Sequence, residues 1–301
     1  MLLSVLVGTG IQLLTMSFFT MICAVLGLMS PANRGALMTS LLLIYVFLGS
    51  IAGYNSARLY KLFQGKQWKQ STLLTAVFFP AVVGAIFICI NIFIRSQGST
   101  NTPPVTTMLS VLMLLFGVST PLVFVGSYFG FQKETIEAPV RTNQIARHIP
   151  EQVWYTHPLF SIALGGVLPF GAVCIELFFI MSAMWLHQLY FVFGFLFIVL
   201  VILVATCAEI SIVMCYFQLC NEDYNWWWRA YMSSGSSGLY LFLYSVWYFH
   251  AKLNIQEFVS IILYFSYMAM IAITFSIATG SVGFIACLWF VQKIYGAIKV
   301  D

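Results

Sequence analysis

Eight predominantly apolar runs, each about as long as a bilayer-spanning helix, follow one another along this 301-residue chain with polar stretches between them. They extend roughly over residues 2–28, 37–57, 72–94, 107–131, 159–184, 189–217, 230–250 and 258–291. A hydrocarbon layer about 30 Å thick is crossed by about 20 helical residues at a rise of 1.5 Å each, and every run reaches that length. Hydrocarbon offers no partner to a backbone N–H or C=O, so each run is expected to be helical; the alternating ten-residue segments of a membrane barrel do not occur. The expected fold is therefore all-α: a single-domain, polytopic bundle of about eight transmembrane helices. The last run is long for one straight span, which predicts a tilt, a kink near Gly280 and Gly283, or an extension past the membrane surface.

Composition closes off the aqueous alternatives. Only 7% of the residues are charged and 61% are hydrophobic, with a mean hydropathy of +0.95. That is too few charges to coat a globule in water. The net charge of +4 comes from basic residues scattered between apolar runs, with no basic face to follow a phosphate backbone, so nucleic acid is not an expected partner. The lipid bilayer is. The first run lacks a basic leader and a small-residue cleavage site and exceeds a signal-peptide core in length, so it reads as a retained span.

Eight crossings put both termini on one side, and the cations then sort. Arg58, Lys61, Lys66, Lys69, Lys133, Arg141, Arg147, Arg229, Lys293 and Lys299 fall on the side of the termini; only Arg34, Arg95 and Lys252 fall opposite. Lys and Arg bias loops toward the cytosol, so loops 58–71, 132–158 and 218–229 and the tail 292–301 are expected there. The 132–158 loop holds three prolines and reads as an extended strap rather than a long helix.

The strings SPANRGAL (Ser30 to Leu37), APVRTNQI (Ala138 to Ile145) with HIPEQ (His148 to Gln152), LPFG (Leu168 to Gly171) with ELFFI (Glu176 to Ile180), and NEDYNWWWR (Asn221 to Arg229) resemble the nonaspanins, the transmembrane 9 superfamily. The resemblance is to that family's carboxyl-terminal membrane part, without its lumenal domain and first span, so the chain reads as a fragment or short isoform. It implies residence in Golgi and endosomal membranes and a role in sorting and localising other transmembrane proteins. It also implies that the terminal Lys299, Val300 and Asp301 form the K-x-D signal by which the family engages the COPI coat. Expected partners are thus client transmembrane proteins and that coat.

Two acids lie inside spans, Glu176 in the fifth and Glu209 in the sixth. An ionised carboxylate in hydrocarbon is costly, so two readings stand: neutral acids hydrogen-bonded across helices, or members of a polar path in a proton-coupled transporter or channel. Counted from the turn near His187, their depths differ by about 16 Å, which excludes a direct pair. Small residues recur at helical spacing as Gly49, Gly53 and Ala57, as Gly126 and Gly130, and as Ala272, Ser276 and Gly280. Such stripes serve either helix packing within the bundle or docking of a client span. Pro80, Pro121 and Pro169 mark kinks. The seven cysteines form no C-x-x-C pair and the four histidines no ligand set, so neither a metal nor a cofactor is expected. Nor is an enzyme, since hydrolase, zinc-protease and nucleotide-loop motifs are lacking and the acids stand at unmatched depths. The stretch Ser233 to Gly238, SSGSSG, offers no site of its own.

Overall fold

The computed structural model describes residues 1–26, 34–96, 104–137, 145, 148–151, 157–185, 189–252 and 257–297, with side chains described except at 34–38, 96, 105, 176–185 and 189–193. Among these residues there is no strand, and the helices are α1 (Leu2–Val25), α2 (Arg34–Phe47), α3 (Gly49–Leu62), α4 (Trp68–Ser96), α5 (Val105–Leu114), α6 (Thr120–Gln132), α7 (Pro158–Trp185), α8 (Leu189–Cys220), α9 (Trp226–Gly235), α10 (Ser237–Lys252) and α11 (Phe258–Ala297). Among the described residues, seven helical stretches are long and apolar enough to cross a bilayer, with α2 and α3 forming one of them and α5 and α6 another. The all-α polytopic class follows directly.

The segment expected over 230–250 is not one uninterrupted helix. It breaks at Ser236 into α9 and α10, within the Ser- and Gly-rich stretch. The two pieces nevertheless run antiparallel along α11 without a gap. Trp226 stacks on Phe284 at 5.7 Å, Gly235 and Gly238 lie against Ser276, Phe242 meets Phe265, and Phe249 meets Tyr264. From Phe284 back to Tyr264 the path along α11 is about 30 Å at 1.5 Å per residue, the thickness of a hydrocarbon layer.

Within the fourth crossing, residues Leu115–Ser119 form a π-helical turn, with Thr120 between it and Pro121. Proline has no N–H to donate and its ring crowds the carbonyl four residues back. The ladder is relieved by the wider bond from the Thr120 N–H to Leu115 O, reinforced by the Thr120 hydroxyl on the same oxygen at 3.1 Å. No such break occurs in α11, which passes through Gly280 and Gly283 as one 40-residue helix and ends past the expected limit at residue 291.

One end of the bundle collects the start of α1, the ends of α3 and α11 and the start of α9: Leu3, Leu59, Tyr231 and Phe284 form a single buried cluster with Trp226 and Trp227 against it. The end of α6 joins it through Phe131, which meets both Tyr60 and Trp68. Lys61 reaches from α3 to donate to the carbonyls of Phe131 and Lys133, at 3.1 and 2.7 Å. A cation there satisfies acceptors left open at the end of α6 and faces the negative end of its dipole. Lys66 and Lys133 lie at this same end on the connections that follow α3 and α6, and Lys69 in the first turn of α4.

Candidate functional site

The interior of the bundle is made less of large side chains than of small and hydroxylated ones. In lipid, helices gain little from burying apolar surface against each other, and close backbone approach with hydrogen bonds across helices takes over. Gly49, Gly53 and Ala57 of α3 face Gly126 and Gly130 of α6 in a parallel seam. A methyl group added to Gly53 would strike the Val123 carbonyl, one on Gly126 the Ser50 carbonyl, and one on Gly130 would come within 2.7 Å of Tyr54 O. Ser127 donates across this seam to Gly53 O at 3.2 Å. Ala272, Ser276 and Gly280 of α11 face Gly235, Gly238 and Tyr231, with the Ser276 hydroxyl on Gly235 O at 2.7 Å. All three stripes singled out in the sequence are thus in contact with the chain's own helices.

Further close approaches join them. Gly8 and Gly10 of α1 lie against Ser56 and Ser281, Gly165 and Gly166 of α7 against Ser233 and Ser236, and Gly283 of α11 against Ser211 and Ser234. The Ser233 to Gly238 stretch therefore sits where α7, α8 and α11 converge. Hydroxyls bridge helices here: Ser56 and Thr75 are 2.8 Å apart, Ser237 and Thr279 3.1 Å, and Ser236 donates to Ile162 O at 2.7 Å. Gln12, almost wholly buried, donates to Tyr45 O at 2.7 Å. A cavity of about 350 Å³ between α1, α8 and α11 is lined mainly by apolar groups, with Thr274 and Thr279 among them.

The two intramembrane acids are placed differently. Glu176 belongs to α7, and its side chain lies outside the described residues. Glu209 belongs to α8 and is exposed, whereas Ser211, two residues on, is fully buried toward α11. The carboxyl consequently points away from the buried hydroxyls rather than among them. The tail residues Lys299 and Asp301 lie outside the described residues.

A fourth carboxylate site was not singled out from sequence although it lies within NEDYNWWWR. Asp223, 6% exposed, closes the turn between α8 and α9. Its Oδ2 accepts from Gln218 Nε2 at 3.0 Å and pairs with Arg229 at 3.2 Å, and its Oδ1 accepts from the Asn225 N–H at 3.0 Å. Glu222 beside it takes a left-handed conformation, φ 59°. A carboxylate with this many donors at a membrane surface locks a turn. The signal available in the sequence was the run of an acid, a turn-forming Asn and an Arg six residues later.

Helices that pack through glycine and serine while turning apolar side chains outward define a polytopic integral membrane protein. The chain belongs to the endomembrane protein 70 family, whose model matches residues 1–258. All of it is similar to Transmembrane 9 superfamily member 8 of Arabidopsis thaliana, 57% identical over 300 residues and covering 46% of that protein. It is likewise similar over its whole length to member 2 (51% identical, 45% of that protein) and member 4 (48% identical, 47%) of Homo sapiens. The chain thus spans about half the length of the curated relatives it matches. No solved structure matches it.

Proposed function

We propose that the protein works in Golgi and endosomal membranes, in the sorting and membrane localisation of other transmembrane proteins, and that Lys299 and Asp301 form its retrieval signal for the COPI coat. The observation that carries this reading is the end-to-end match of the chain to Transmembrane 9 superfamily proteins within an endomembrane family. The distribution of cations supports an orientation with both ends of the chain in the cytosol, where a coat can reach the tail. A Lys two positions before a terminal Asp presents one cation beside two carboxylates, a handle that requires a free end. Client spans would be recognised in the plane of the membrane. Because the Gly49, Gly53, Gly126 and Gly130 seam is filled by α3 and α6 themselves, recognition belongs on the outer surface of the bundle.

The test is localisation of the full-length protein carrying Lys299→Ala with Asp301→Ala. Loss of Golgi residence in the double variant is expected; unchanged residence removes the tail from this reading. For clients, deleting the protein is expected to redistribute a subset of multi-pass and single-pass proteins from the cell surface, and a surface population identical with and without it ends the sorting proposal.

A further inference from the structure

The outward position of Glu209 identifies a second surface. On α8, the residues turned into the bundle recur as Val199, Leu203, Cys207, Ser211 and Cys215, all buried. The opposite stripe carries Ile198, Ile202, Ala205, Glu209, Val213 and Tyr216, all exposed. The spacing of four, three, four, four and three residues keeps these six on one line of a helix. Glu209 stands nine residues before Gln218, in the last helical turn of α8 at the bundle end, so its carboxyl is about 14 Å inside, near the middle of a 30 Å hydrocarbon layer.

Among the described residues nothing meets that carboxyl. Thr206, one turn earlier, donates its hydroxyl to Leu203 O of its own helix. The other neighbours along the stripe are hydrocarbon for a turn or more in each direction, as they should be on a surface facing acyl chains. An ionisable side chain at this depth ordinarily faces the bundle interior, lines water or is paired. Glu209 does none of these within the described residues.

We propose that the outer face of α8 docks a transmembrane helix of a client protein that carries a Lys or Arg at mid-bilayer depth, with Glu209 as its counter-charge. This deepens the sorting role proposed above and rests on it. Charge complementarity selects the occupant: a cation buried in a client's span is excluded from lipid for the same reason as the carboxylate, and pairing removes both from hydrocarbon at once. Ala205, the small residue one turn away, lets the incoming helix approach closely. A span that has lost its own polar partner, as in an unassembled subunit, would expose such a cation.

The proposal is tested with the full-length protein in phosphatidylcholine vesicles and fluorescent single-span peptides of leucine and alanine. One set carries a central Lys, one has the Lys moved two turns toward either end, and one has Leu there instead. Energy transfer should report at least tenfold tighter association of the central-Lys span than of the Leu span, with the displaced Lys spans falling between. Glu209→Gln should bring the central-Lys span down to the Leu level, and Glu209→Lys should transfer the preference to a span with a central Glu. Val213→Trp, which keeps the carboxyl and obstructs the face, should weaken binding in the same way.

Equal association of all spans, or a Lys preference untouched by Glu209→Gln and Val213→Trp, overturns the proposal. So does a photocrosslinker at Ala205 that joins only a second copy or another part of the same polypeptide, since the face would then be covered already. These outcomes leave the sorting role standing wherever deletion still redistributes surface proteins. If redistribution fails while the Lys span binds through Glu209, it is the sorting role that falls.

Discussion

Gly126 of α6 rests directly on the backbone carbonyl of Ser50 in α3, with no room for even a methyl group between the two helices. The contact joins the second and fourth crossings in parallel, and the same seam continues through Gly53 with Val123 and through Gly130 with Tyr54.

Alanine at Gly53 or Gly126 is expected to force α3 and α6 apart and lower stability by about 1–3 kcal/mol each, the usual cost of overpacking. Gly84 and Gly171 supply the contrast: an added methyl there meets nothing within 4 Å. Alanine at those two helical positions is expected to be neutral or to stabilise by up to about 1 kcal/mol. Thermal unfolding of the four detergent-purified variants measures the difference, and equal losses at all four would remove the seam as a determinant of the fold.

The Asp223 carboxylate holds the α8–α9 turn through Gln218, Asn225 and Arg229. Asp223→Ala leaves the Arg229 guanidinium, only 10% exposed, without its anion. Breaking one side of such a pair is expected to cost about 3 kcal/mol. Adding Arg229→Met should recover part of that loss, because the buried cation that faced the carboxylate is gone. A chemical-denaturation double-mutant cycle reads the coupling; additive losses would mean that the pair contributes nothing beyond its separate members.

The spans were legible because about 20 apolar residues in a row have few other fates, and the small-residue stripes because their spacing places them on one helix face. What each stripe touches was not legible, since spacing gives a face but no partner. Ser233 to Gly238 is not legible as a packing site for a related reason: Ser and Gly together mark a loop in water, whereas in lipid they mark the closest helix contacts, here with Ser276, Gly166 and Gly283. The rotation of α8 was hidden as well. A helix apolar on every side has no preferred face in its sequence, so whether Glu209 pointed inward or outward required the packing of Cys207, Ser211 and Cys215 to be seen.

Lys61 closes α6 from a neighbouring helix, and its two acceptors are the carbonyl of Phe131 in the last turn and that of Lys133 just past the helix end. Lys61→Met keeps the apolar stem and removes the donors. A loss of about 1 kcal/mol is expected, together with faster amide exchange at the end of α6. Unaltered exchange between Phe129 and Gln132 would show that water serves those carbonyls equally well.

The end of the bundle that gathers Leu3, Leu59, Trp226 and Phe284 also carries Lys61, Lys66 and Lys69, whereas Arg95 and Lys252 lie at the far ends of α4 and α10. By the bias of cations toward the cytosol, the 63–67 and 221–225 connections should be reached from that side. In a background cleared of its exposed Cys89 and Cys220, Lys66→Cys and Glu222→Cys are expected to react with an impermeant maleimide in sealed, cytosolic-side-out microsomes, while Lys252→Cys is protected there and reacts only when the lumen is opened. Sealed and opened microsomes are scored separately, because the antiparallel course of α9 and α10 along α11 places Glu222 and Lys252 a full bilayer apart. Labelling of both from one side would mean that α9 and α10 fold back without crossing, and the cytosolic position of the tail would have to be argued anew.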